Sequence, residues 1–141
     1  MSQGGTQREV NRMKIAVVDD SLPVQQSLGR LLASVSGVEM VGYAEDVRGA
    51  LGLIDASRPD VVVLDVNLRG HDKGIDVLRH VVAHYPGSKT LVLSNCTEQS
   101  VRDVYLHAGA SAYFDKSMEF LKARDWIAAL LPHSRVENTQ H

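Results

Sequence analysis

The chain has 141 residues, 44% of them hydrophobic and only 5% aromatic, which is the size of one ordinary globular domain with an aliphatic core. A formal net charge of −2 without any basic run argues against a nucleic-acid surface or attraction to an anionic membrane. The longest apolar runs, such as Val61-Val62-Val63-Leu64, are far shorter than a membrane span, no signal peptide opens the chain, and the single cysteine, Cys96, excludes an intrachain disulfide or multi-Cys zinc site, so a cytoplasmic protein is expected.

Residues 1–12 are rich in Ser, Gln, Gly and charge without periodicity and are expected to be a flexible lead-in to a domain over 13–131. From Lys14 a buried strand runs through Ile15, Ala16, Val17 and Val18 and ends on adjacent carboxylates, Asp19 and Asp20. Ser21 caps the helix that follows, Pro23 fits its first turn, Val24, Leu28, Leu31, Leu32 and Val35 form its stripe, and Gly37 closes it. Val38 to Glu45 alternates as a second strand. Asp46 then caps a helix whose Val47, Ala50, Leu51 and Ile54 share a face, and Arg58-Pro59 ends it.

The third strand, Asp60 to Asp65, is an unbroken apolar run that implies burial on both faces, and it ends on a third carboxylate. A loop holding Gly70 and Gly74 leads to a helix marked by Ile75, Leu78 and Val82, which stops before Pro86-Gly87. Lys89 to Ser94 is the fourth strand. Thr97 is expected to cap a helix lined by Val101, Val104, Tyr105 and Ala108 and broken by Gly109. Ser111 to Phe114 is a short fifth strand with Lys116 just beyond it, and Phe120, Ala123, Ile127 and Leu130 mark the last helix. Residues 132–141 read as a flexible tail, too short for an effector domain.

Strands alternating with helices predict an α/β, doubly wound parallel sheet with helices on both faces, whose ligands bind beyond the carboxyl ends of the strands. Asp19, Asp20, Asp65, Ser94 and Lys116 all sit at those ends. Carboxylates held a few ångströms apart repel one another and favour a cation between them. Magnesium, or manganese, is the expected ion, because it accepts a few carboxylates and keeps positions for water and phosphate oxygens.

Taken together, these five residues resemble the receiver domain of bacterial two-component response regulators, over roughly residues 14–131. The resemblance implies a flavodoxin-like five-stranded sheet in the order 2-1-3-4-5. It implies that Asp65 is the phospho-acceptor, phosphorylated by a histidine kinase or histidine phosphotransfer protein. Asp20 would ligate the metal directly and Asp19 through water, with Asp65 and the backbone carbonyl of Asn67 completing the protein's share. Lys116 would be a charge clamp, Ser94 the switch hydroxyl and Tyr113 the aromatic that turns inward behind it. The output would be an altered surface around the fourth helix, fifth strand and fifth helix, read by a separate protein target. A monomer or a phosphorylation-dependent homodimer fits such a switch, and its self-catalysed chemistry does not make it a multiple-turnover enzyme.

Several positions depart from the family pattern. Ser117 stands where proline commonly follows the lysine, so no cis peptide is expected there and Lys116 is expected to be less rigidly aimed. Arg69 replaces a frequent proline, and the spacing from Asp65 to Gly74 is one residue longer than usual. Asn95 stands where a small residue is usual and is expected to narrow the approach to Asp65, while Asn67 and Cys96 occupy the other positions that tune hydrolysis.

Weaker features have plainer readings. Asp76, His80 and His84, spaced at i, i+4 and i+8, could bind a transition metal, but a solvated face is the expectation because no fourth ligand supports the site. Leu106 falls off its helix stripe and is expected to be exposed. A haloacid-dehalogenase-type phosphatase needs a second aspartate where Asn67 stands, and a flavodoxin-like cofactor binder would have its phosphate repelled by Asp19 and Asp20. The competing function is a phosphorylation-independent interaction module of receiver-like fold.

Overall fold

The computed structural model describes residues 12–131. The flexible segments expected at 1–12 and 132–141 therefore fall, apart from Arg12, outside the described residues. Five strands, β1 (Met13–Val18), β2 (Val38–Ala44), β3 (Val61–Leu64), β4 (Lys89–Ser94) and β5 (Ala112–Asp115), form one parallel sheet in the order β2-β1-β3-β4-β5. Helices α1 (Leu22–Ala33), α2 (Val47–Ser57), α3 (Gly74–His84), α4 (Gln99–Ala108) and α5 (Phe120–Ala128) alternate with them, and a short 3-10 turn, Arg69–His71, follows β3.

The period of two along each strand sends neighbouring side chains into separate cores. Val62, Leu64 and Val92 pack with Ala50 and Ile54 of α2, Val77, Leu78 and Val81 of α3, and Tyr105 of α4. Val61, Val63, Leu91 and Leu93 pack with Leu28 and Leu32 of α1 and with Ala123 and Ile127 of α5. All four residues of β3 are buried, as its unbroken apolar run requires. No helix of the described residues is long and apolar enough to cross a membrane.

Local caps account for several boundaries. Ser21 Oγ accepts from Val24 N at 3.4 Å, and Asp46 Oδ1 accepts from Gly49 N at 2.8 Å, so α1 and α2 begin where hydroxyl and carboxylate caps predict. Gly109 ends α4 at φ 119°, a left-handed conformation that a Cβ would strain.

The structure corrects four local expectations. Thr97 does not cap α4: Glu98 holds that position without a side-chain hydrogen bond, and the helix starts two residues beyond Thr97. Val82 is 43% exposed, because the buried face of α3 runs through Gly74, Val77, Leu78 and Val81. Val104 is likewise off its helix's buried face, at 51% exposure, leaving Tyr105 as the buried anchor of α4. Gly74 is the first residue of α3 and not part of the preceding loop.

Candidate functional site

Parallel register brings the strand ends together. Val18 pairs with Leu64, so Asp19 and Asp65 follow side by side, and Asp65 N donates to Val18 O at 2.9 Å. Ser94 pairs with Asp115 across β4 and β5, and Lys116 N donates to Ser94 O at 2.9 Å. Asp19, Asp20 and Asp65 each place a carboxylate oxygen within 4.8 Å of the others, the one such group of metal-ligating side chains among the described residues. Asp19 and Asp65 are buried while Asp20 is exposed, so the cluster opens to solvent on the Asp20 side.

Lys116 Nζ donates to Asp19 Oδ2 at 2.7 Å and to Asp65 Oδ2 at 2.8 Å. The remaining oxygens are also engaged: Asp19 Oδ1 accepts from Ser21 N at 2.9 Å and Asp65 Oδ1 from Val66 N at 2.7 Å. Burial pushes the Asp19 carboxyl above its ordinary value, more strongly than the hydrogen bond from Lys116 lowers it. For Lys116 burial works against the ammonium, yet its bonds to Asp19 and Asp65 outweigh that cost and raise its pKa. One shared ammonium thus gains from two carboxylates, whereas each carboxylate has only part of one cation. A set of three clustered carboxylates short of positive charge, all oxygen donors, fits a small hard divalent ion such as magnesium.

Beside the cluster, Ser94 is 1% exposed, and its Oγ accepts from Cys96 N at 3.1 Å. Tyr113 is turned inward at 4% exposure and donates its hydroxyl to Cys96 O at 2.7 Å. Burial pushes the Tyr113 phenol up to about 12. The Arg102 guanidinium lies 5.5 Å from the centre of its ring, and Tyr105 meets it edge-on at 6.3 Å.

Residues 15–127 match the sequence profile of the response regulator receiver domain. The chain belongs to this family. It is 32% identical over 109 residues to the transcriptional regulatory protein DegU of Brevibacillus brevis, covering 77% of this chain and 46% of that protein. It is 38% identical over 100 residues to a protein-glutamate methylesterase/protein-glutamine glutaminase of Shewanella oneidensis, covering 70% of this chain and 28% of that protein. The receiver fold also superposes on the crystal structure of a LuxR-family two-component response regulator from Aurantimonas sp. SI85-9A1, with a TM-score of 0.74 and 30% identity over 84% of this chain and 86% of that one. The chain spans about half the length of the first curated relatives it matches.

The positions expected to depart from the family pattern have defined surroundings. The loop after Asp65 closes as the 3-10 turn, with Gly70 and His71 both left-handed at φ 69° and 66°. Arg69 is tied to Glu45 by an ion pair of 2.8 Å and by its backbone N–H on Glu45 O at 3.0 Å. Asn67 bridges to Lys73, whose Nζ donates to Asn67 Oδ1 at 3.1 Å. Asn95 is exposed, with Oδ1 3.4 Å from Ser117 Oγ. No cis peptide occurs among the described residues. His80 Nε2 lies 2.8 Å from Asp55 Oδ1 of α2, its ring centre is 4.4 Å from that of His84 one turn on, and Tyr85 donates to the same Asp55 oxygen at 2.7 Å. These two bonds hold the Asp55 carboxyl below its usual range.

Three supporting residues lie outside the sequence reading of the site. Gln25 is buried on α1 and donates from Nε2 to Asp19 O at 2.6 Å, fixing the backbone of an acid whose side chain is already held. Gly74 brings α3 so close that a Cβ there would run into the backbone carbonyl oxygen of Asp65. Asp72 Oδ2 accepts from Val47 N at 2.9 Å, linking the loop after β3 to the start of α2. A glutamine inside an apolar stripe is a sequence signal for the first of these. The other two bonds and contacts leave no periodic trace.

Proposed function

We propose that this receiver is phosphorylated on Asp65 by a histidine kinase or histidine phosphotransfer protein and signals through a phosphorylation-dependent change of surface. The observation that carries the reading is the single Lys116 ammonium shared between Asp19 and Asp65, beside a third carboxylate open to solvent. An Asp65 oxygen attacks phosphorus, the bond from phosphorus to the donor histidine nitrogen breaks, and the nitrogen keeps that electron pair and takes up a proton. Asp20, Asp65, Asp19 through water, and the backbone carbonyl of Asn67 are the groups that would hold magnesium, which when bound offsets negative charge on the phosphoryl oxygens.

Lys116 does what a fixed cation can do at such a site. It leaves its bond to Asp65 Oδ2 and pairs with a phosphoryl oxygen, where the negative charge accumulates. Ser94 Oγ gives up the Cys96 amide to donate to the phosphoryl group. That amide belongs to the same residue whose carbonyl holds the Tyr113 hydroxyl, so the exchange reaches the surface of α4, β5 and α5. Asn95 and Cys96, flanking this exchange, tune how long the acyl phosphate survives.

The protein works as a cytoplasmic switch rather than as a multiple-turnover enzyme, and its downstream target is a protein. The test is binding of beryllofluoride in the presence of magnesium, followed through the amide resonances of Asp65, Ser94 and Lys116. Saturable shifts at all three residues, abolished by Asp65→Asn, are expected; shifts that persist in Asp65→Asn would contradict the reading.

A further inference from the structure

Ser117 occupies the place where proline commonly stiffens the loop that carries the lysine, yet the loop is not loose. Each backbone N–H from Asp115 to Glu119 has a partner. Asp115 N donates to Glu119 Oε1 at 2.9 Å, Lys116 N to Ser94 O at 2.9 Å, Ser117 N to Asp115 Oδ1 at 2.9 Å, Met118 N to Asp115 Oδ1 at 3.3 Å, and Glu119 N to Asp115 O at 2.8 Å. Ser117 Oγ adds a bond to Asp115 Oδ1 at 3.0 Å. One carboxylate oxygen therefore gathers three donors from the two residues that follow Lys116. It makes no bond to the ammonium, whose partners are Asp19 and Asp65.

We infer that Asp115 is a positioning residue for Lys116, holding by hydrogen bonds the peptide from which the ammonium is aimed at Asp19 and Asp65. The inference rests on the phosphoryl-transfer reading of Asp65. A lysine side chain has a flexible four-carbon stem, so the direction of its charge depends on how firmly its backbone is anchored. Here β4 anchors one side through Ser94 O, and Asp115 anchors the other. The backbone bond from Ser117 also holds the Asp115 carboxyl below the usual carboxylate range, so the acceptor stays ionised throughout the neutral range.

The experiment measures initial rates of phosphoryl uptake from acetyl phosphate with saturating magnesium, together with magnesium affinity, in a double-mutant cycle. Asp115→Ala is expected to slow uptake roughly tenfold while leaving magnesium affinity unchanged, since the three acidic ligands are intact. Asp115→Asn, which keeps an acceptor in the same place, should restore most of the rate. In a Lys116→Ala chain, Asp115→Ala should have no further effect, because the group it aims is gone. Asp115→Glu, which keeps the charge but displaces the acceptor, should resemble Asp115→Ala and serves if the alanine variant unfolds. Equal rates in Asp115→Ala or Asp115→Glu and the parent, or a full additional loss in the Lys116→Ala chain, would overturn this inference alone. A parent that takes up no phosphoryl group would overturn both it and the reading beneath it.

Discussion

Asp19 sits under opposing demands, since burial disfavours its charge while Lys116 Nζ at 2.7 Å favours it, and burial wins. A carboxyl whose folded pKa exceeds its unfolded value keeps its proton longer in the folded state. Stability from this group is therefore greatest below its ordinary pKa of 3.8 and declines as pH rises through the folded value, leaving a constant deficit at neutral pH. Lys116 runs the other way: its contribution is fully present below its ordinary 10.5 and is lost only as pH rises through its elevated folded value. Asp19→Asn should accordingly stabilise the metal-free protein at neutral pH, with the gain shrinking as pH falls toward 3.8. Denaturant unfolding of both proteins across that range checks this; a less stable variant at neutral pH would show that the Lys116 bond outweighs burial. Magnesium should stabilise the parent more than the variant, because it relieves a repulsion the variant lacks.

Among the elements, α3 is seated by what its first residue lacks. The Asp65 carbonyl oxygen lies where a Gly74 Cβ would stand, the Asp65 carbonyl carbon is 3.2 Å from that position, and Gly74 N donates to Val66 O at 2.8 Å. Gly74→Ala is expected to cost about 1–3 kcal/mol, the range for overpacking, and to displace the backbone of Asp65. Thermal unfolding measures the first effect and magnesium affinity the second; a variant unchanged in both would contradict the close approach. β3 and β4 were legible in the sequence because an unbroken apolar run with a polar residue at its end has few other readings. Asp65, just past β3, and Ser94, the last residue of β4, lie at the carboxyl edge of the sheet where the sequence placed them. The start of α4 was not legible, because its cap position is filled by Glu98 without a side-chain bond while a better capping residue stands one position earlier. Val82 was misplaced for a related reason: on α3 apolar residues spread beyond the buried face, and composition alone does not say which edge meets the sheet. The supports from Gly74 and Asp115 act on backbone atoms, which no spacing of side-chain types reveals, whereas Gln25 left a trace as a polar residue inside an apolar stripe.

At the scale of the whole molecule, parallel pairing turns residues far apart in sequence, 51 positions between Asp65 and Lys116 and 97 between Asp19 and Lys116, into one charged centre. The site is therefore a product of register, and anything that shifts a strand by one residue would disperse it. The receiver family supplies the general frame of phosphorelay signalling, and relatives named for transcriptional regulation and for methylesterase activity match this chain over only part of their length. On the function proposed above, the output depends on what this surface contacts, whereas the chemistry depends on Asp65 and its neighbours. The most direct measurement is the intact mass of the protein after incubation with acetyl phosphate and magnesium, compared with Asp65→Asn and with the parent in the presence of a chelator. Addition of one phosphoryl group to the parent alone, only with magnesium, is predicted; no addition to the parent, or equal addition to Asp65→Asn, would contradict the account.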